Sequence, residues 1–169
     1  NYTVSDLRPY IDWTFFFIAW EMKKLYPDIL EDSAYGKEAK KIFNDANKML
    51  DFIEENNIVD IKGVFGIFKA NSNGDNIELY NKDKSLAATF NLFREQRKKN
   101  KGPYLCLSDF IAPKEINKDD YLGGFIVTTG LKADEYAKKL ESEGDSYNAI
   151  MLKLVYDRLA EAFAEKLHE

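Results

Sequence analysis

The chain has 169 residues, of which 45% are apolar and 31% are charged, a composition typical of a globular domain. A chain of this length can bury a hydrophobic core, but it is too short for two large domains. Because 29 acidic residues outnumber 24 basic ones, the net charge is -5. This charge argues against a nucleic-acid partner, whose phosphates attract a basic surface.

The single cysteine, Cys106, and the single histidine, His168, exclude several kinds of site. An intramolecular disulfide is impossible, and a zinc site made from these residue types needs three or four ligands. A nucleophilic site would depend on His168, next to the end of the chain, where little can hold a histidine in register. The sequence therefore predicts no metal ligands and no catalytic nucleophile in this chain.

The sequence also carries no signal for a membrane. No apolar run approaches the roughly 20 residues that cross a bilayer, and no basic segment followed by an apolar one marks a secretory signal. We therefore expect a soluble, cytoplasmic protein without a membrane partner. The chain begins at Asn1 rather than Met, which indicates a piece of a longer protein.

The first part of the chain is predicted to be helical. Residues 5–26 begin with Ser5 as a capping residue and continue into a run of aromatic side chains. Thr14 is a candidate N-cap for a short apolar helix that ends before Pro27. Over residues 36–56, apolar side chains recur every three or four positions, which predicts an amphipathic helix.

The middle of the chain has the alternation and the turn residues of β-strands. Residues 63–70 and 77–80 lie on either side of a turn that contains an Asn-Gly pair, which predicts a β-hairpin. Residues 87–93 and 124–129 are predicted to form further strands.

Two helices are predicted to follow, over residues 132–143 and 147–167, and the second contains no Gly or Pro. The order of helices, strands and helices indicates an α+β fold, with a largely antiparallel sheet flanked by long helices. No repeat or linker divides the sequence, so residues 1–169 are predicted to form a single unit.

Asp12 is the first candidate for a binding residue, because it lies between Ile11 and Trp13 directly before an aromatic-rich helix. A carboxylate at this place is favoured by the helix dipole, as an ordinary exposed helix-start residue. In a functional interpretation, it accepts hydrogen bonds from the ammonium group of a ligand, and such charge-assisted bonds are strong. The local sequence leaves both interpretations open.

Arg158 and Glu161 form a second candidate pair, in the last predicted helix. Their spacing of three puts them on one face, one turn apart. Because this helix is apolar on nearly all sides, we expect it to be buried and its charges to need partners. The two residues form either an ion pair at the edge of the core or part of a ligand site.

A basic cluster follows the third predicted strand. It is either a solvated face beside a turn or a docking site for an acidic partner. The members of this cluster are Arg94, Arg97, Lys98, Lys99 and Lys101.

The sequence contains neither the dinucleotide-binding fingerprint nor the phosphate-binding P-loop.

Six motifs run in order through nearly the whole chain. They are residues 10–14 (YIDWT) with Phe16, Phe17 and Trp20, and residues 24–30 (KLYPDIL), 43–50 (FNDANKML), 70–75 (ANSNGD), 106–113 (CLSDFIAP) and 157–165 (DRLAEAFAE). Together they closely resemble the C-terminal activation domain of cobalamin-dependent methionine synthases, a domain that binds S-adenosylmethionine. The number and order of the motifs make this resemblance more specific than any single motif.

The resemblance implies that the domain brings S-adenosylmethionine to the cobalamin held by another domain of the same chain. There the methyl group, with an electron from flavodoxin or a related flavoprotein reductase, converts inactive cob(II)alamin to methylcobalamin. The resemblance places Asp12 at the amino group of the ligand, and Arg158 and Glu161 at the same site. Zinc would belong only to the full-length enzyme, which transfers a methyl group from 5-methyltetrahydrofolate to homocysteine.

The sequence departs from the family in a few places. Phe15 and Lys69 stand where the family commonly has proline, and the family continues into an Arg-x-x-x-Gly-Tyr segment that completes the ligand site, whereas this chain ends at Glu169. We therefore expect residues 1–169 to be the N-terminal part of the domain, with an incomplete site and no catalysis of its own. The alternative is a docking module for a flavodoxin-like electron donor, without a ligand site.

Overall fold

The computed structural model describes residues 2–169. Four strands form one sheet in the order β3-β2-β1-β4, in which the β1–β2 and β2–β3 pairs are antiparallel. The predicted α+β class with an antiparallel sheet is confirmed. In chain order, the elements are α1 (Val4–Leu7), α2 (Trp13–Ala19), α3 (Gly36–Glu55), β1 (Lys62–Asn73), β2 (Asn76–Tyr80), β3 (Leu86–Asn91), β4 (Asp120–Thr128), α4 (Lys132–Ser142) and α5 (Ser146–Leu167).

Two compact units divide the chain. The helical unit comprises the residues up to Gly63 together with Val127–Glu169, and the strand unit comprises Val64–Ile126. The strand unit is thus inserted in the sequence between two parts of the helical unit. The prediction of a single domain over residues 1–169 stays a prediction.

The helical unit contains the large hydrophobic core. Helix α3 buries its apolar residues at spacings of three and four, as its sequence predicts. It begins at Gly36, where a Cβ atom would lie only 2.7 Å from the backbone oxygen of Leu30, so a larger residue would force the backbone apart. Fully buried members of this core include Leu7, Phe16, Phe17, Leu50, Ile53, Leu152 and Leu159.

The N-cap of α1 is Thr3, and the prediction that Ser5 would cap this segment is wrong. Thr3 and Asp6 form a reciprocal capping box, in which each side chain accepts a hydrogen bond from the backbone N–H of the other. Ser5 lies in the first turn and donates from its backbone and its hydroxyl to Glu54, at 3.1 and 2.7 Å. These bonds join α1 to the end of α3.

Helix α2 ends at Ala19, before Pro27 as the sequence predicts. Glu21 has a φ of 61°, its N–H donates to the carbonyl of Ile18, and the N–H of Met22 donates to the carbonyl of Phe17. This is a Schellman motif, which satisfies the last carbonyls of a helix. No local pattern reveals this ending, because glutamate occupies the position where glycine usually marks it.

The strand unit has a small core and a largely uncovered sheet. The β1–β2 hairpin turns at Gly74, with a φ of 60°, as the Asn-Gly pair predicts. Strand β4 begins earlier than predicted, at Asp120. The buried apolar residues of this unit include Ala70, Ile77 and Leu79.

Strand β1 exposes apolar side chains on both of its faces. Val64 is 62% exposed, Phe65 73% and Ile67 71%. Since neighbouring residues of a strand point to opposite faces, both faces of this half of β1 carry exposed apolar side chains.

Glu78 on β2 is a carboxylate that is nearly buried within the strand unit. It accepts hydrogen bonds from Asn73 Nδ2 at 2.7 Å, from Lys114 Nζ at 2.7 Å and from the Tyr80 hydroxyl at 2.6 Å. These bonds, in that order, lower the pKa of Glu78 from 4.5 to about 2. The carboxylate is thus held in its charged form by partners on three sides.

The strand unit is expected to lose stability as the pH falls from about 5 to about 2. Because the pKa of Glu78 is lower in the folded state than its usual 4.5, its contribution is present above the unfolded pKa and is lost as the pH falls through about 2. Asp109, whose pKa is also lowered to about 2, titrates in the same range. Replacing Glu78 with Gln should therefore make the stability of the strand unit depend less on pH in this range. The measurement is urea unfolding at several pH values, followed through the strand-unit amides in NMR spectra. The same acid dependence in both proteins would contradict this role of Glu78.

Candidate ligand-binding site

Asp12 is the N-cap of α2, and the prediction that Thr14 would be the cap is wrong. Asp12 Oδ1 accepts a hydrogen bond from the backbone N–H of Thr14 at 2.9 Å. The Thr14 hydroxyl lies in the first turn and accepts a hydrogen bond from the backbone N–H of Tyr26 at 3.2 Å. The helix-start interpretation of Asp12 is therefore confirmed, but capping occupies only one of its two carboxylate oxygens.

The backbone around Asp12 is held by buried neighbours, while its side chain is exposed. Ile11 is 7% exposed and Trp13 is 9% exposed. The Trp13 ring lies 5.3 Å from the ring of Phe16 and 4.7 Å from the ring of Phe43, both edge-on. Asp12 forms no ion pair within residues 2–169, and its Oδ2 accepts no hydrogen bond there. A fixed carboxylate with a free oxygen can receive a cation from outside.

Arg158 and Glu161 lie on α5 and pair with each other, through Arg158 Nη1 and Glu161 Oε2. The Arg158 side chain is 20% exposed and the Glu161 side chain is 60% exposed. The prediction that α5 is buried on nearly all sides is wrong, because one stripe of the helix is polar and exposed. This stripe contains Lys153, Asp157, Glu161 and Glu165.

The structure brings Arg158 and Glu161 together, but no hydrogen bond or ion pair joins either of them to Asp12 in the described part of the chain. All three residues belong to the helical unit, in which α2 contacts α5. The ion-pair interpretation of Arg158 and Glu161 is thus observed, and their ligand contact stays a prediction.

Sequence reasoning missed a third group, at the end of α5 and beside the segment that leads to Asp12. The Tyr10 hydroxyl donates to Glu169 Oε2 at 2.5 Å, and Lys166 Nζ donates to the Tyr10 hydroxyl at 2.8 Å and to Glu169 at 2.9 Å. Lys166 Nζ also lies 4.9 Å from the centre of the Tyr10 ring. The bonds to Tyr10 and Glu169 raise the pKa of Lys166. Because Tyr10 and Glu169 are 159 positions apart, no local pattern could reveal this contact.

An open cavity of about 520 Å³ lies elsewhere in the helical unit, and its lining does not include Asp12, Arg158 or Glu161. Phe52 and Tyr136 contribute aromatic walls, and the Tyr147 hydroxyl donates to Asp45 at 2.9 Å. Burial, together with this bond to Asp45, raises the pKa of Tyr147 to about 12. This aromatic-walled cavity is therefore separate from the three candidate binding residues.

The basic cluster of residues 94–101 is partly neutralised. Arg94 donates to Asp75 and to Asp109 at 2.6 to 3.0 Å, which links the hairpin turn to the 3-10 helix Leu107–Phe110. Arg97 and Lys99 both pair with Glu95. The carboxylates that accompany the cluster reduce its attraction for an acidic partner.

The fold matches that of a reactivation domain of known structure. The match is to the crystal structure of the MetH reactivation domain bound to AdoHcy, with a TM-score of 0.91 and 45% sequence identity. The match covers 99% of this chain and 52% of that chain, so the present chain spans about half the length of its structural relative. The fold is thus that of a reactivation domain.

A family comparison makes the assignment more specific. Residues 3–169 match the model of the family described as vitamin B12 dependent methionine synthase, activation domain, and the chain belongs to this family. The resemblance carried by the six motifs is confirmed. The comparison does not assign roles to individual residues, so those of Asp12, Arg158 and Glu161 stay predictions.

Among residues 2–169, no group of three or more His, Cys, Asp or Glu residues is arranged to hold a metal ion. No helix in this range is both long enough and apolar enough to cross a membrane.

Proposed function

We propose that this chain contributes to an S-adenosylmethionine site, in which Asp12 accepts hydrogen bonds from the ammonium group of the ligand. The observation that carries the proposal is the free, exposed oxygen of Asp12 on a backbone held by Ile11 and Trp13. The matched reactivation domain is bound to AdoHcy, which is what S-adenosylmethionine becomes when it gives up its methyl group. Both molecules carry the same ammonium group.

Arg158 and Glu161 complement the other end of an amino-acid ligand. A guanidinium has five N–H donors, and Arg158 uses Nη1 for Glu161. Its remaining donors suit a ligand carboxylate, because the planar fork of arginine matches a carboxylate in geometry. Glu161 holds the guanidinium in place on α5, so its proposed role is positioning.

The reaction that this site serves is the repair of the cobalamin of methionine synthase. S-adenosylmethionine bound here would supply a methyl group from its positive sulfonium and would be left as S-adenosylhomocysteine. That methyl group, together with one electron, would convert cob(II)alamin held by another domain of the same protein to methylcobalamin. The residues of this chain bind and orient the methyl donor, and the chemistry belongs to the two cofactors. The electron donor we propose is flavodoxin or a related flavoprotein reductase, and zinc belongs to other parts of the methyltransferase.

We also propose that residues 1–169 are one part of the activation domain, and that further polypeptide completes the site. Two observations support this proposal. The chain covers 52% of the matched chain, and β1 exposes Val64, Phe65 and Ile67 on its two faces. Phe65 and Ile67 lie two positions apart on the same face, and large exposed apolar side chains that lie side by side usually mark a contact with more protein.

Calorimetric titration tests both proposals. S-adenosylhomocysteine and S-adenosylmethionine would be titrated into this chain and into a longer version that includes the rest of the matched domain. We expect the longer protein to bind each ligand at least tenfold more tightly. Equal affinity in both proteins would contradict the need for further residues, and absence of binding in both would contradict the proposed function.

A further inference from the structure

A cavity of about 460 Å³ in the strand unit, here called the lysine cavity, has a composition that differs from that of the candidate site. All charged residues in its lining are lysines, and no carboxylate lines it. Its volume lies in the usual range for sites that take small molecules. The residues that define it are Lys69, Lys82 and Lys84, with the rings of Phe68, Tyr80 and Tyr121.

Residues of three neighbouring strands line the lysine cavity. Lys69 on β1 pairs in register with Tyr80 on β2, and Tyr121 belongs to β4, the other neighbour of β1. Asp119, which forms an ion pair with Lys69, is the main cause that raises the pKa of Lys69, and the two tyrosines add to it. Lys69 thus faces Tyr80 across the β1–β2 pair, and its charge is largely neutralised by Asp119.

The other two lysines lie in the loop between β2 and β3, and no ion pair among the described residues neutralises their charges. Neither Lys82 nor Lys84 forms an ion pair within residues 2–169, and both are exposed. The intervening Asp83 accepts hydrogen bonds from the backbone N–H and the hydroxyl of Ser85, at 3.0 and 2.6 Å, which holds its carboxylate in the turn. Glu78, next to Tyr80 in the sheet, is paired with Lys114.

We propose that the lysine cavity binds a nucleoside phosphate. The rings of Tyr80 and Tyr121, on the same side of the sheet as Lys69, offer stacking surface to a planar base, and stacking of this kind accepts any base. Lys82 and Lys84 supply positive charge for the phosphate groups. Inorganic phosphate would use only the lysines, and a neutral nucleoside would use only the rings.

This ligand class differs from that of the site at Asp12. S-adenosylmethionine carries a sulfonium and an ammonium group, which these lysines repel, whereas the carboxylate of Asp12 repels phosphate. The two sites also lie in different units of the chain. The lysine cavity can therefore be tested whether or not the proposed function holds.

The test is a titration of this chain with adenosine diphosphate, followed by NMR, with inorganic pyrophosphate and adenosine as comparison ligands. We expect adenosine diphosphate to shift the amide signals of residues that line the cavity, and to bind at least tenfold more tightly than either comparison ligand. The double variant Lys82→Gln/Lys84→Asn should weaken this binding at least tenfold. Asparagine is chosen at position 84 because it tolerates the φ of 68° found there.

Two further variants separate the lysines from the rings. Tyr121→Leu should weaken adenosine diphosphate about fivefold to tenfold, because a stacking face is lost, and should leave pyrophosphate unchanged. The control Lys98→Gln/Lys101→Gln removes two exposed lysines of the same unit that lie outside the cavity lining, and it should change the affinity less than twofold. NMR spectra without ligand verify that each variant is folded.

Three results would overturn the proposal. The first is absence of adenosine diphosphate binding by the unaltered chain. The second is pyrophosphate binding that equals that of adenosine diphosphate, which would mean that only loose charge attraction operates. The third is an equal loss of affinity in the cavity double variant and in the control variant.

Discussion

Replacing Asp12 with Asn is expected to weaken S-adenosylmethionine binding at least tenfold, while α2 stays intact. The substitution would be made in the longer version of the chain, or in this chain if it binds the ligand by itself. A hydrogen bond between charged groups contributes about 1.5 to 3 kcal/mol, and 1.4 kcal/mol corresponds to a factor of ten. Asparagine caps a helix as well as aspartate does, so its side-chain oxygen can still accept the N–H of Thr14. The substitution therefore removes the charge and keeps the cap. Calorimetric titration and thermal unfolding measure the two effects separately.

Asp145→Asn is the matched control, since Asp145 caps α5 in the same unit and accepts a hydrogen bond from the backbone N–H of Asn148 at 3.1 Å. It should leave the ligand affinity unchanged. Asp12→Ala, which loses both charge and cap, should weaken binding to a similar extent as Asp12→Asn and should also cost about 1 kcal/mol of stability. Unchanged affinity in Asp12→Asn would show that Asp12 serves only as a cap.

The second large effect is expected in the core of the same helix. Phe16→Ala should lower the free energy of unfolding of the helical unit by about 3 to 5 kcal/mol, the range for buried aromatic residues. Phe16 is fully buried, and its ring lies 5.3 Å from that of Trp13 and 5.6 Å from that of Phe17. Urea unfolding followed by tryptophan fluorescence reports on this unit, because Trp13 and Trp20 both belong to it.

The neighbouring residue of α2 provides the control for this substitution. Phe15 is 57% exposed, so Phe15→Ala should change the free energy of unfolding by no more than about 0.5 kcal/mol. A domain is typically stable by about 5 to 15 kcal/mol, so the loss at Phe16 is a large share of the total. Equal effects of the two substitutions would contradict the buried face assigned to α2.

Helix α2 contributes both to the core and to the candidate site. Its buried face anchors the helical unit through Phe16 and Phe17, and its first residue follows directly on the exposed carboxylate of Asp12. Any substitution that loosens the aromatic packing would also displace that carboxylate. Ligand binding by Phe16→Ala is therefore expected to fall along with stability, whereas Asp12→Asn should affect binding alone.

The long helices and the hairpin could be predicted because their signals are local. Helix α3 shows apolar residues at helical spacing, and the β1–β2 turn is marked by its Asn-Gly pair. The end of α2 could not be predicted, because Glu21 adopts a left-handed conformation without glycine. The sequence does not distinguish Thr14 from Asp12 as the cap, because both residue types are good N-caps and only backbone geometry distinguishes them.

For the candidate site, the sequence predicted the residues and the structure revealed their partners. The pairing of Arg158 with Glu161 follows from a helical spacing of three. The exposure of Glu161 does not, because it depends on which stripe of α5 the rest of the helical unit covers. The free oxygen of Asp12 likewise depends on the absence of a cation from any other element among the described residues.

The sequence by itself determined the α+β class, the activation-domain family and the scarcity of cysteine and histidine, since composition, periodicity and motif order are all properties of a linear chain. Only the tertiary structure decided that Tyr10 meets Lys166 and Glu169, and that lysines and aromatic rings line one cavity of the strand unit. The physical reason is that these groups come from distant positions or different strands, and packing rather than local propensity brings them together.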